Sequence, residues 1–383
     1  VDRDDRRSGG GGGVFQPTIS LGRIAGVPVG INWSWIGIFA LIVWTLAAGA
    51  FPAAAPGRST AEYTAMGVVT AAAFFTSLLL HELGHAVQAR RDGVRIEGIT
   101  LWLFGGVARM SGTYPSAGAE LRIAAAGPLV SLVLGVGFTA AGAVVSRPLP
   151  VSVCLGWLGY INLALLAFNL VPAMPLDGGR ILRAALWRRS GDFVAATRRA
   201  TTVGGALAML TIGLGILDVL AGDLGGLWLA AIGWFVFEAG RAEEASAVVG
   251  SALNGVTVGQ LMTRDPITFQ ATATLAALAD EIGGTARHTT YPLVDRDGRV
   301  VGLLPLRALA EVPHAAWSRT TAEQAAIPVD RVLEVAPDDS AEAVFQQLAR
   351  SRIGRAIVVS RGRAVGILSV TDLARTLATG RVL

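Results

Sequence analysis

Through the first 240 or so residues the chain consists of long apolar runs separated by short polar ones, and beyond that short β-branched runs alternate with amphipathic stretches rich in Asp, Glu and Arg. A bilayer-crossing helix needs roughly 20 apolar residues. On that measure the first part predicts about six spans: Ile31 to Pro52, Met66 to Ala89, Ile123 to Val145, Val151 to Val171, Val203 to Leu220 and Leu224 to Ala239. The last two are short and interrupted by Gly and acidic residues, so they can be tilted or merged. The fold class that follows is a polytopic α-helical membrane domain followed by a soluble α/β unit.

That second unit repeats once. Val300-Val301-Gly302-Leu303-Leu304 matches Ala364-Val365-Gly366-Ile367-Leu368, and Asp265 to Thr268 matches Val332 to Val335 more loosely as the opening strand of each copy. Two copies are too few for a solenoid, so a pair packed face to face is expected.

Composition agrees with a membrane protein. Of 383 residues, 52% are hydrophobic and 16% charged, against roughly 25% charged in an average soluble domain. All 32 basic residues are Arg, giving a net charge of +4. They are scattered over loops without interleaved aromatics, which argues against nucleic acid as a partner. Their distribution instead alternates between successive loops: Arg90, Arg91 and Arg95 follow the second span, a run from Arg180 to Arg199 follows the fourth, and Arg241 follows the sixth, while the opposite loops hold only Arg58 and Arg147. Arg-rich loops stay in the cytoplasm, so both termini and the soluble unit are expected there, with the chain in the cell membrane. The segment Val1 to Gly13 reads as a flexible arm without an apolar leader core, leaving the first apolar segment to act as an uncleaved membrane signal. Cys154 is the single cysteine, so no intrachain disulfide can form.

Within the second span stands His81-Glu82-Leu83-Gly84-His85. Histidines four apart share one helix face, one turn from each other, and Glu82 beside them can act as general base. Chance is the bland explanation, but each such side chain in an apolar helix costs several kcal/mol unless it pairs or binds something. A catalytic zinc takes three protein ligands and keeps a position open. For the third ligand, Cys154 lies mid-span and His288 and His314 lie in the soluble half, where both read as surface residues. Asp177 lies just past the fourth span on the same side as the histidines. Asp92 and Glu97 share that side but follow the histidine helix directly, and Asp218 and Asp223 approach the other face. Around Asp177 runs Asn169-Leu-Val-Pro172-Ala-Met-Pro175-Leu-Asp177-Gly178-Gly179-Arg180, where two prolines break the helix and two glycines permit close approach. A capping Asp on a loop leaving the membrane is the structural alternative.

H-E-x-x-H on a membrane helix, followed by N-x-x-P and L-D-G-G, resembles the site-2 protease family of intramembrane metalloproteases (M50 type) over about residues 20 to 245. The resemblance implies one Zn2+ per chain held by His81, His85 and Asp177, a water activated by Glu82, and Asn169 orienting substrate or stabilising the oxyanion. Phe104-Gly105-Gly106-Val107-Ala108 is similar to the family's re-entrant loop, so Gly105 and Gly106 would bind substrate as an added strand. Ala126-Gly127-Pro128-Leu129-Val130-Ser131 resembles the small-residue opening of its third core helix. The implied substrate is another membrane protein, such as an anti-sigma factor or transcription factor precursor.

The repeat from about Val256 to Gly380 resembles a pair of CBS domains, which commonly sense ATP, ADP or AMP. Their G-h-h-S-x-x-D stretch, with an Asp on the ribose, is present in the second copy as Gly366 to Asp372; the first has Pro305 and Ala308 at the Ser and Asp positions. One nucleotide site at Asp372 is implied, and a purely structural role in homodimer formation is the alternative. The expected domains are an arm over 1–22, the intramembrane metalloprotease over 23–245 and CBS repeats over 256–315 and 322–380. A CBS-regulated channel or ion transporter is the alternative of a different class, although no internal repeat relates the first three spans to the last three.

Overall fold

The computed structural model describes residues 18–102, 105–111, 114–145, 149–283, 289–351 and 353–372, which fall into two compact units, one running to Val248 and the other starting at Val249. The arm expected over Val1 to Gly13, Phe104 and His288 lie outside the described residues.

The first unit opens with a hairpin, β1 (Ile19–Ile24) and β2 (Val27–Ile31), followed by α1 (Ser34–Thr45), which runs through a π-helical turn into α2 (Phe51–Ala54). α3 (Thr60–Arg91) starts at a capping box in which Ser59 and Glu62 satisfy each other's backbone N–H, a device that fixes where the helix begins. β3 (Arg95–Trp102) and β4 (Gly105–Ser111) come next, then α4 (Ala117–Val144), α5 (Leu149–Asn169), α6 (Asp177–Ser190), α7 (Phe193–Leu220) and α8 (Gly225–Leu253). The strands form one sheet in the order β1-β2-β3-β4, with β2 and β3 parallel and the other pairs antiparallel.

Among the described residues five helices are long and apolar enough to cross a membrane: Ser34–Ala54, Thr60–Arg91, Ala117–Val144, Leu149–Asn169 and Phe193–Leu220. The remaining apolar segment, Leu224 to Ala239, forms the first half of α8, which continues into the charged stretch Glu238 to Glu244. α3 is the most enclosed of the five, with 44% of its most apolar window buried against 11–33% for the others. The helix carrying the histidines is therefore the central one.

The second unit consists of α9 (Val258–Leu261), β5 (Thr263–Arg264), β6 (Phe269–Gln270), α10 (Leu275–Gly283), β7 (Thr290–Val294), β8 (Val300–Pro305), α11 (Leu306–Glu311), α12 (Ala322–Ala325), β9 (Ile327–Pro328), β10 (Leu333–Val335), α13 (Ala341–Arg350), β11 (Arg355–Ser360) and β12 (Arg363–Ser369). Its two sheets, β6-β7-β8-β9 and β10-β11-β12-β5, exchange their edge strands, so each copy closes the sheet of the other. Leu303, Val332 and Ile357 are buried together where the copies meet, as expected of a pair packed face to face. The opening strand of the first copy falls at Phe269–Gln270, pairing parallel with β7, and not at Asp265 to Thr268. Asp265 has φ 48°, a turn conformation that ends β5 and leaves the next residues out of the ladder.

Candidate metal centre

His81 and His85 project from one face of α3, both buried, with their Nε2 atoms 3.1 Å apart. The far nitrogen of each ring is engaged by α4. His85 Nδ1 donates to the Ile123 carbonyl oxygen at 2.7 Å, and His81 Nδ1 lies 2.9 Å from Ser131 Oγ. A carbonyl can only accept, so in neutral His85 the proton sits on Nδ1 and Nε2 presents a lone pair. α4 comes this close because Gly127 faces the rings: a Cβ there would lie 2.1 Å from His85 Nε2 and 2.7 Å from His81 Nε2.

Asp177 enters from the other side as the first residue of α6. The link from α5 contains Pro172 and Pro175, which donate no backbone hydrogen bond, and folds tightly onto α6. A Cβ on Gly178 would lie 2.3 Å from the Leu170 carbonyl oxygen, and one on Gly179 would lie 2.5 Å from Ala173 C. The turn therefore requires both glycines, and it delivers Asp177 Oδ2 to 3.3 Å from each Nε2. Among the described residues, His81, His85 and Asp177 form the group of three or more His, Cys, Asp or Glu side chains able to hold a metal ion.

These atoms are suited to zinc. Zinc–nitrogen and zinc–oxygen bonds near 2.0–2.1 Å in tetrahedral array put ligand atoms about 3.3 Å apart, and the separations here are 3.1, 3.3 and 3.3 Å. Lone pairs of two imidazoles and a carboxylate converging in a buried site repel one another unless a metal ion or a shared proton sits between them. Partners of this kind on the second ring nitrogen fix imidazole orientation in metal sites.

Glu82 packs against the backbone of β4: a Cβ on Gly106 would lie 2.5 Å from Glu82 Cγ. Gly105 opens the same strand opposite Trp102, and β4 is the last strand of its sheet. Asn169, the last residue of α5, is half-buried and its amide donates to the Leu165 carbonyl at 3.1 Å. Asp92 accepts from Gln88 at 2.8 Å and from Arg122, which together hold its carboxyl below the usual range. Glu97 faces Arg109 at 4.0 Å, and Asp223 caps the turn before α8 through the Gly225 N–H. In sequence the fourfold spacing of the histidines was legible, whereas Ile123 and Ser131 stand 38 and 50 residues from the rings they contact.

Close to the centre lies a charged cluster that the sequence did not announce. Arg183 on α6 bonds Glu120 on α4 and Glu243 on α8, and Arg180 donates to Tyr114 Oη at 2.9 Å. Burial pushes the Glu243 carboxyl up, but Arg180 and Arg183 hold it below the usual carboxylate range.

In the second unit, Thr289, Thr290, Pro305, Leu306, Arg307, Ile353 and Arg355 line a cleft of about 390 Å³. Burial lowers the pKa of Arg355, with Asp372 opposing. Asp372 Oδ2 accepts from Ser369 Oγ at 2.6 Å and the Asp372 N–H donates back to that oxygen, a reciprocal cap at the start of a helix. The first copy begins its helix at Pro305 with no side-chain cap, and Ala308 is buried where the second copy has its Asp.

A model described as peptidase family M50 matches residues 69–151 and 147–212, and one described as CBS domain matches 258–315 and 325–379. A Mycobacterium tuberculosis protein named zinc metalloprotease Rip3 is 40% identical over 373 residues, 96% of this chain and 95% of that one. A Synechocystis protein named zinc metalloprotease sll0528 is 31% identical over 374 residues, 96% of this chain and 98% of that one. A solved site-2 protease from Methanocaldococcus jannaschii is 31% identical, covering 59% of this chain and 94% of that chain at a TM-score of 0.40.

Proposed function

The chain belongs to peptidase family M50, with a CBS pair following the membrane helices in sequence, and on that premise we propose that His81, His85 and Asp177 hold the zinc ion of a site-2 type metalloprotease and that Glu82 is its general base. The observation that carries this is the convergence of the three ligand atoms, within 4.8 Å of one another, next to Glu82 on the same helix. Relatives named zinc metalloproteases over nearly the whole chain set aside the channel or transporter alternative.

When bound, zinc acts as a Lewis acid on a peptide carbonyl and acidifies water. The chain's own residues do the remaining work. Glu82 accepts the proton of the attacking water and returns it to the leaving amine. Ile123 and Ser131 hold the rings so that Nε2 faces inward. β4, ending its sheet beside Glu82, takes up the unwound substrate as an added strand along Gly105 and Gly106, and Asn169 helps orient it.

The substrate we infer is a peptide bond in or near a transmembrane segment of another membrane protein, such as an anti-sigma factor or transcription factor precursor. Helix-breaking residues near that bond favour cleavage, because an intact helix shields its own carbonyls. The alternation of Arg between loops supports cytoplasmic termini and a cytoplasmic CBS pair, with the apolar first half of α8 as the sixth crossing beside the five longer helices. The catalytic unit spans 23–245 and the CBS repeats 256–315 and 322–380. The pair binds one adenine nucleotide by way of Asp372, an electrostatic neighbour of the cleft residue Arg355, and it supports a homodimer.

Glu82→Gln removes the base and leaves the ligands, so it should lower cleavage of a co-expressed membrane substrate by roughly 10²–10⁴-fold with zinc content unchanged. Full activity in that variant would overturn the assignment.

A further inference from the structure

Two helices build the metal site from opposite sides. α4 orients the imidazoles through Ile123 and Ser131, and α6 begins with Asp177. One side chain ties these helices together. Arg183, 1% exposed, donates from Nε to Glu120 Oε1 at 2.6 Å and lies 2.5 Å from the same oxygen through Nη2. Its Nη1 reaches Glu243 Oε1 on α8 at 3.0 Å, and its guanidinium lies over the Phe193 ring at 4.8 Å.

The positions of the pair matter more than its charge. Glu120 stands about one turn before Ile123 on α4, and Arg183 less than two turns after Asp177 on α6. A buried ion pair adds little stability over apolar residues of similar volume, because desolvation cancels most of the attraction. This one is also incompletely satisfied, since Glu120 Oε2 is buried with no hydrogen-bond partner among the described residues. What an apolar pair cannot supply is axial register: two N–H groups of one rigid, planar guanidinium converging on a single carboxylate oxygen restrict sliding of one helix along the other. A zinc site requires such register, because ligand atoms about 3.3 Å apart tolerate little sliding of one helix along the other.

We propose that Arg183, clamped on Glu120, is a positioning residue for the metal centre: it sets the register of α6 on α4 that brings Asp177 to the two histidines. Glu243 extends the clamp to α8, the helix that leads in sequence toward the CBS pair. The proposal rests on the metal assignment above, and the test separates the two.

The full-length protein, purified without metal, is titrated with Co2+ alone against a competing chelator, and the visible ligand-field absorption is recorded. Wild type binds one Co2+ per chain with a tetrahedral spectrum; no binding by wild type would overturn the metal assignment and the clamp with it. In the paired variant Glu120→Gln with Arg183→Met, which removes one charge of each sign and leaves Glu243 facing Arg180, the account expects wild-type helicity and melting. It also expects Co2+ affinity lowered on the order of 10-fold or more and an altered absorption band. Arg183→Lys keeps the charge and loses the planar guanidinium, so it should weaken Co2+ binding at unchanged melting temperature. Wild-type affinity and spectrum in both variants would reduce Arg183 to a packing residue and overturn the proposal.

Discussion

Gly127 shows how far a single side chain can decide the site. A Cβ there would sit 2.1 Å from His85 Nε2, whereas one at Gly137, further along the same helix, would meet nothing within 4 Å. Replacing Gly by Ala inside a helix favours the helix by up to about 1 kcal/mol. Any loss at position 127 therefore reports on the rings. Gly127→Ala should drop the zinc content of the purified protein by about 10-fold or more, and Gly137→Ala should leave it unchanged. Equal zinc in the two variants would contradict the packing described here. The candidate ligands could be proposed from the sequence, because the spacing of His81 and His85 is a property of one helix and the prolines and glycines around Asp177 mark an irregular turn. Ser131, Ile123 and the Arg183 cluster could not, since each acts across a contact between distant segments.

Among the elements, the spans were legible from their apolar length; of the two segments read as short and interrupted, Val203 to Leu220 belongs to a 28-residue apolar helix, and Leu224 to Ala239 was ambiguous for a physical reason: its helix carries on into charge. The four-stranded sheet was hidden, because β2 finds β3 about seventy residues away and only β4 had been singled out. The ends of α3 and α4 nearest the site are fastened by Asp92 and Arg122, with Nε to Oδ1 at 3.2 Å. Arg122 and Gln88 depress the Asp92 carboxyl in the folded chain, so the tie contributes stability above the unfolded carboxylate value of about 4 and loses it as the pH falls through the folded value. Melting of wild type and Asp92→Asn in detergent should differ near pH 7 and converge below about pH 4. A gap independent of pH would show that the pair is not the fastening.

For the whole molecule, the repeat disclosed the CBS pair, but the exchange of edge strands between the copies was not visible, because β5 and β9 are only two residues long. The unequal copies predict one nucleotide per chain. Saturating ATP should raise the melting temperature of the intact protein by roughly several degrees. Asp372→Asn, which keeps an acceptor for Ser369, should abolish that rise; an unchanged rise would remove Asp372 from nucleotide binding. The central claim is that the membrane unit is a metalloprotease whose zinc is held by two helices meeting at His81, His85 and Asp177. Elemental analysis of the purified chain tests it most directly. The account predicts one zinc per chain in wild type and in Glu82→Gln, and almost none in Asp177→Ala, and a full complement of zinc in Asp177→Ala would contradict it.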